Sequence, residues 1–429
     1  MAATHGRPAL SASMRIIAIA DSDSYVKWSA ALLGTLPDSV AVELLILETS
    51  LVVSAAQQRS ATAGSGLDAA SVRRTRLSEL TAHITAAEPD AVLLAARGPV
   101  VRVVARLVAA LTPRPLLVTG LPGISIPETT AALVHRTQCD LFVLHSTREI
   151  RAFTDLADRR GMSQRFALAH LPFAQHRTRS GRGGDLVFAA QAIVPRLRDE
   201  RLTIARMLVR AARAEPERRV VVKLRAVKGE HQTHRERDAD SYPELLRTLG
   251  PLPPNLVIST DSMARALSTA EGLVTVSSTA AIEAIAFGVP SIALDTFGVS
   301  DDLINPVFRG SGLLAGEEAV ISRDFRMPRP QWLADNYFHD PSLDDWVPQL
   351  TALVDERRRG TLPPKPPRVR RGGSVRDTWE SGIILRRGDR TMPEMLAVAA
   401  VLPARVAVRV VNRVRNGKRR RPSRGSAVS

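Results

Sequence analysis

The chain has 429 residues, of which 45% are hydrophobic, 24% charged and only 4% aromatic, and its formal net charge is +16. That length and composition accommodate two domains with full cores and exclude disorder throughout. So few rings argue against an extended sugar-stacking platform or a surface for single-stranded nucleic acid. The charge is concentrated at one end: residues 356–429 hold 20 of the 59 Lys and Arg but 5 of the 43 Asp and Glu. The first 355 residues are close to neutral and lack the basic face that duplex binding requires, so no specific nucleic acid is expected as a partner. Cys139 is the single cysteine. It sits in the apolar run Cys139-Asp140-Leu141-Phe142-Val143-Leu144, which excludes an intrachain disulfide and a thiolate cluster and fits a reducing cytoplasm. Residues 1–13 lack the apolar core of a signal peptide, and no stretch is long and uncharged enough to span a bilayer.

From Met14 the pattern alternates apolar runs with amphipathic stretches. Strands are predicted at 16–20, 40–47, 91–95, 116–119 and 141–144, with helices at 26–36, 72–87, 100–111 and 150–160. Short connections between alternating strands and helices predict a parallel sheet covered on both faces. After an apolar run at 166–171, the stretch Arg177-Thr178-Arg179-Ser180-Gly181-Arg182-Gly183-Gly184 reads as an interdomain linker. A second α/β set follows, with strands at 186–189, 220–224, 256–259, 273–276 and 291–294 and helices at 201–214 and 262–269. The expected organisation is an N-terminal unit at 14–176, a second at 185–355, and a basic, partly amphipathic or disordered tail at 356–429.

Chemistry-bearing residues fall at strand ends. The first strand delivers Asp21-Ser22-Asp23 into a loop ahead of Lys27 and Trp28. Such carboxylates could deprotonate an acceptor hydroxyl, hold a divalent metal as an Asp-x-Asp pair, serve as nucleophile and acid in a phosphohydrolase, or cap the next helix. On the strand at 220–224, Lys223 and Arg225 point the same way by the two-residue period and could meet a diphosphate. The loop beyond holds Glu230, His231 and His234, whose spacing permits a metal but lacks a fitting third ligand, so a solvated loop is expected and no metal is assigned. At 273–276 an apolar β-branched run ends in Ser277-Ser278-Thr279. These hydroxyls and the backbone N–H groups beside them open a helix about two turns long, closed by Gly288 with Pro290 beyond, and could hold a phosphate. Glu283 lies one turn on, on the face of Thr279, where a carboxylate could accept ribose hydroxyls.

This segment, an apolar run followed by Ser277-Ser278-x-x-x-x-Glu283-Ala284-x-x-x-Gly288-x-Pro290, resembles the nucleotide-binding stretch of GT-B glycosyltransferases, particularly bacterial enzymes that make capsule, sialyl or glycerol-phosphate polymers. Gly120-Leu121-Pro122-Gly123-Ile124 and the run from Cys139 to Ser146 are similar to the late first domain of the same enzymes. The resemblance implies two Rossmann-like doubly wound domains facing a cleft. Ser277, Ser278, Thr279 and Glu283 would bind the donor, Lys223 and Arg225 its phosphates, and Asp21 or Asp23 would act on the acceptor. It implies a metal-independent transferase, without a cofactor, that uses a nucleotide-sugar donor and a cell-envelope glycan or lipid-linked acceptor. Arg225-Ala226 departs from the Lys-x-His-Pro of the related enzymes, leaving the protonation of the leaving phosphate without its usual histidine. A nucleotide-sugar epimerase, a phosphohydrolase and a silent nucleotide-binding protein are the other readings.

The tail carries its own signal. Arg405, Arg409 and Arg413 share a helical face, with Val406, Val408, Val410, Val411 and Val414 on the remaining arc and Lys418-Arg419-Arg420-Arg421 beyond. An anionic membrane surface suits that pattern, which places the protein at the inner face of the plasma membrane.

Overall fold

The computed structural model describes residues 14–171, 183–224, 240–365 and 373–400. Most of the linker at 177–184, Arg225 with Glu230, His231 and His234, and the arginine-rich stretch from 405 onward lie outside them. In the first half, short apolar runs flanked by amphipathic helices do form a parallel sheet. Its strands are β1 (Arg15–Ala20), β2 (Ala41–Leu47), β3 (Arg73–Thr75), β4 (Ala91–Ala95), β5 (Leu116–Gly120), β6 (Leu141–Leu144) and β7 (Phe166–Leu168), in the order β3-β2-β1-β4-β5-β6-β7. Every pairing is parallel. The inner strands are apolar at nearly every position because helices cover both faces.

Two elements of this half escape the hydrophobic pattern for physical reasons. Helix α2 (Ala55–Thr62) has no apolar side chain larger than alanine, and it is held by a capping box in which Ser54 and Gln57 bond each other's backbone N–H. Strand β3, which exposes Arg73 and Arg74 at the sheet edge, takes the start of the stretch 72–87 that reads from sequence as one helix, and the helix itself, α3, runs over Leu77–Ala87.

The second sheet repeats the plan with β8 (Asp185–Ala189), β9 (Val220–Lys223), β10 (Leu256–Ser259), β11 (Ala270–Thr275), β12 (Ser291–Leu294) and β13 (Leu314–Ala315), ordered β10-β9-β8-β11-β12-β13 and again parallel. Two parallel sheets in tandem are what the alternation at 14–171 and 185–294 predicts.

The chain then returns. Helix α13 (Trp346–Arg358), counted with the second unit on sequence grounds, buries Trp346, Leu350, Leu353 and Val354 among Ile16, Ala18 and Leu116 of the first sheet. Arg357 and Arg358 pair with Asp90, and Arg358 together with the Arg15 N–H holds the Asp90 carboxyl below its ordinary range despite burial.

The tail also departs from expectation. Helix α14 (Gly373–Ile384) lies on α4 (Gly98–Ala109), with Arg102 paired to Glu380 and Arg106 to Asp377. Ile384 and Leu385 enter the core beside Ile17, Leu45 and Val101. Residues 392–400 are helical and cross α14 at Gly382, where a Cβ would stand 2.8 Å from Val398 Cγ2. The first half of the tail therefore packs on the first domain: Ile384 and Leu385 anchor the end of α14, and ion pairs that hydrophobic patterning does not register align the rest of it along α4. Deleting residues 373–429 should lower the melting temperature, because Ile384 and Leu385 each contribute about 1.5–3 kcal/mol by burial. Deleting only 401–429 should leave it unchanged, and differential scanning fluorimetry of the two truncations checks both outcomes.

Candidate functional site

Doubly wound sheets bind ligands beyond the carboxyl ends of their strands, at the point where strand order reverses. That point lies between β1 and β4 in the first sheet and between β8 and β11 in the second.

At the first, Asp21 directly follows β1 and Arg97 follows β4. Asp21 is fully buried, and its oxygens accept from Arg97 Nε at 2.6 Å and from the Arg97 N–H at 3.2 Å. Burial pushes its carboxyl above the ordinary value, and the guanidinium opposes that shift. Asp21 thus closes the crevice floor, with both oxygens committed to one arginine. Asp23 instead opens helix α1 (Asp23–Leu33) and is half-buried. The helix is capped from position Ser22 without a side-chain bond, so neither Asp21 nor Ser22 plays the capping role.

Behind this floor, Arg136 donates to the Tyr25 hydroxyl at 3.0 Å and to the Ala96 carbonyl at 3.1 Å. Trp28 Nε1 donates to His145 Nε2 at 2.7 Å, and His145 Nδ1 donates to the Ala169 carbonyl at 2.8 Å. Burial lowers the His145 pKa and keeps the ring neutral, with both nitrogens engaged in packing.

At the second switch point the expected motif takes the expected shape. Helix α10 (Ala280–Ala286) is seven residues long, and Gly288 ends it at φ +67°. The backbone donors are not open, however. The Ser277 N–H donates to Gln191 Oε1 at 2.9 Å, the Ser278 N–H to Thr275 Oγ1 at 3.1 Å, and the Ala280 N–H to Ser278 Oγ at 3.2 Å. Gln191, just past β8, also donates to Ser277 Oγ at 3.1 Å, so it ties the two central strands of this sheet together. Ser278 Oγ acts as an acceptor, whereas the Ser277 hydroxyl accepts from Gln191 Nε2 and also donates to Gln191 Oε1 at 3.5 Å, a long bond that it would exchange to donate to an incoming anion. Lys223 ends β9 and is buried, its ammonium bonded to the Leu224 carbonyl; Arg225 lies outside the described residues.

The domains bring these ends together. Lys27 Nζ of α1 stands 3.3 Å from Glu283 Oε1 of α10. The loop after β5 meets the other motif at Thr279, where a Cβ on Gly123 would lie 2.8 Å from Oγ1. Lys27, Gly123, Thr279 and Glu283 therefore lie where the two domains meet, with Asp23 one turn before Lys27 on α1 and Ser277 and Ser278 just ahead of Thr279. The segment 332–338 is a packed connection. Trp332 stacks on Phe308 and donates to the Val307 carbonyl, and the Tyr337 hydroxyl donates to Glu149 at 2.6 Å. Lys27, Arg97 and Gln191 were not assigned as site residues from sequence. The available signal was position alone, since Arg97 and Gln191 each stand two residues beyond a strand.

Residues 16–353 match the model of a family described as "Putative glycosyltransferase (DUF6716)". The chain belongs to that family. No curated protein matches its sequence. Among solved structures it is similar to the Methanocaldococcus jannaschii UDP-GlcNAc 2-epimerase in complex with UDP-GlcNAc and UDP, at a TM-score of 0.53 and 12% identity over 79% of this chain and 99% of that one. It is also similar to a "putative UDP-N-acetylglucosamine 2-epimerase" from Listeria monocytogenes, at a TM-score of 0.52 and 12% identity over 84% of this chain and all of that one. At such identities the likeness concerns the fold, two parallel-sheet domains of GT-B type facing a cleft.

The Asp21–Arg97 pair is open to a direct measurement. Arg97→Ala leaves a buried carboxylate without its cation and should cost about 3 kcal/mol at neutral pH. Because the folded carboxyl titrates above the unfolded one, the penalty on the ionised form is absent below the unfolded pKa and complete above the raised folded value. The loss, read by urea unfolding of both proteins, should therefore shrink as pH falls from about 8 to about 4.

Proposed function

We propose that this protein transfers a glycosyl group from a nucleotide-activated sugar to a cell-envelope glycan or lipid-linked acceptor. The observation that carries this reading is the Lys27–Glu283 contact, which joins the carboxyl ends of both sheets at one cleft within a family described as glycosyltransferases. In this reading the donor nucleotide enters between α1 and α10. Its phosphates take hydrogen bonds from the Ser277 and Ser278 hydroxyls, with Thr279 alongside, and positive charge from Lys27, Lys223 and Arg225. Lys27 exchanges a carboxylate for a phosphate when the donor binds, and Glu283 is released to accept ribose hydroxyls. Asp23, on the acceptor side, deprotonates the attacking hydroxyl as the sugar–phosphate bond breaks. Asp21 holds Arg97 and the crevice floor in place, so the assignment of a base narrows from the pair to Asp23. Lysine and arginine balance the phosphate charge, and added Mg²⁺ or Mn²⁺ is not required for transfer.

Isothermal titration with UDP, CDP, CMP and GDP, together with a transfer assay, tests the roles. The Ser277→Ala/Ser278→Ala protein should bind its nucleotide more weakly, at about 1.5–3 kcal/mol for each charge-assisted bond lost. Asp23→Asn should leave that affinity nearly intact while transfer falls on the order of 10²–10⁴-fold, because a base acts on the barrier and not on donor binding. Unchanged transfer in Asp23→Asn sinks the base assignment.

A membrane-borne acceptor agrees with the end of the chain. Among the described residues no helix is long and apolar enough to cross a membrane. Yet Met392, Met395 and Leu396 are exposed on the helical segment 392–400, directly before the arginine-rich stretch. A surface-lying helix with an apolar arc and basic residues, each adding about 1 kcal/mol near anionic headgroups, holds a protein at a leaflet. The protein lacking 401–429 should keep nucleotide binding and lose co-sedimentation with vesicles of phosphatidylserine and phosphatidylcholine. Salt should release the full-length chain progressively.

A further inference from the structure

The described chain passes between the domains twice, once beyond β7 and once between Asp335 and α13, and these two passages are laced together. The Leu168 N–H donates to Asp345 Oδ1 at 2.7 Å, and the Asp345 N–H returns to the Leu168 carbonyl at 3.0 Å. The His170 N–H donates to Asp344 Oδ2 at 3.0 Å, and Gln349 Nε2 donates to the Phe166 carbonyl at 3.1 Å. On this rigid frame three side chains converge. Asp344 Oδ1 lies 3.0 Å from His170 Nδ1 and 2.8 Å from His339 Nε2. The two imidazole rings face each other with centroids 4.0 Å apart, His339 fully enclosed and His170 half-buried. One ligand atom from each of the three residues lies within 4.8 Å of the others.

We infer that His170, His339 and Asp344 form a binding site for a divalent cation of the zinc class, which staples the two interdomain passages of the chain together. Two imidazoles and one carboxylate are the ligand types that Zn²⁺ takes, whereas Mg²⁺ and Ca²⁺ favour oxygen alone. A tetrahedral zinc with bonds of about 2.0–2.1 Å sets its ligand atoms about 3.3 Å apart, so the two contacts to Asp344, at 3.0 and 2.8 Å, would each widen by a few tenths of an ångström around the ion, and the imidazole nitrogens, within 4.8 Å of each other, would adjust by ring rotation. The fourth position is available. A cavity of about 220 Å³ opens beside His170 and Asp344, lined also by Leu32, Thr35 and Trp346, and has room for a water ligand. Main-chain bonds already hold His170 and Asp344, so little conformational freedom remains to be lost on binding. None of these residues belongs to the donor or acceptor roles proposed above, and the site stands or falls independently of them.

The test uses the full-length chain, free of any affinity tag and stripped with a chelator, with Zn²⁺ and Co²⁺ as probes. Expected are one metal per chain by inductively coupled plasma mass spectrometry after desalting, visible absorption bands of four-coordinate Co²⁺, and a higher melting temperature on metal addition. His170→Gln and Asp344→Asn, shown to be folded by circular dichroism, should each weaken Co²⁺ binding by at least about tenfold. His231→Ala/His234→Ala should retain full uptake. A folded wild-type chain that takes up no stoichiometric metal overturns the site. So does uptake undiminished in both His170→Gln and Asp344→Asn, or uptake lost in the His231/His234 variant.

Discussion

One buried carboxylate holds the relative placement of the two domains, and the cleft depends on it. Glu149, in the first turn of α6 (Thr147–Arg159), is fully enclosed. It accepts from the His145 N–H at the end of β6, the Ser125 N–H in the loop after β5, and the Tyr337 hydroxyl in the apolar cluster of the second domain. A charge without water must be surrounded by donors, and these three come from three separate segments. Moving the domains apart would take the Tyr337 hydroxyl from it and leave the two N–H donors of its own domain. Burial together with the Glu149 charge drives the Tyr337 pKa well above its ordinary value, so the phenol stays protonated and keeps donating.

Around this point the contact is broad. Arg148 donates to the Pro306 and Val307 carbonyls, Thr147 and Arg151 reach Asp335, and Ile124, Ile126 and Leu171 join the apolar cluster of the second domain. The first domain thus contributes side chains to the core of the other, and α13 returns the exchange by packing on the first sheet. Such mutual burial brings α1 against α10 and places Lys27 beside Glu283. The proposed function rests on that placement, which sets the hydroxyls of the Ser277–Thr279 turn and Glu283 on one side and Lys27 on the other.

Both switch points are pinned by a polar pair bridging the two central strands, Asp21 with Arg97 in one sheet and Gln191 with Ser277 in the other. The repetition follows from topology. Where strand order reverses, the loops leaving adjacent strands diverge, and backbone polar groups at the crevice floor have to be met by side chains. This is why Asp21, which in the sequence looks equivalent to Asp23, is bonded to Arg97 at the crevice floor while Asp23 opens α1 half-buried.

The linear sequence by itself determined the two parallel sheets, the strand–turn–helix unit from Leu273 to Pro290, and the strand ends at which chemistry could sit. These follow from local hydrophobic periodicity and from Gly and Pro punctuation, which act over a few residues. Helix α2, strand β3 and the packed half of the tail were not legible, because a capping box, an edge pairing and the Arg102–Glu380 ion pair hold them where apolar spacing is weak. Tertiary structure alone decided that Asp21 is consumed by Arg97, that Gln191 and Thr275 occupy the Ser277 and Ser278 N–H groups, that Lys27 faces Glu283, and that His170 meets His339 and Asp344. Each of these contacts joins residues distant in the chain, apart from the neighbouring Thr275–Ser278 and His339–Asp344 pairs. Their geometry is set by how two packed domains close on one another, which no local propensity encodes.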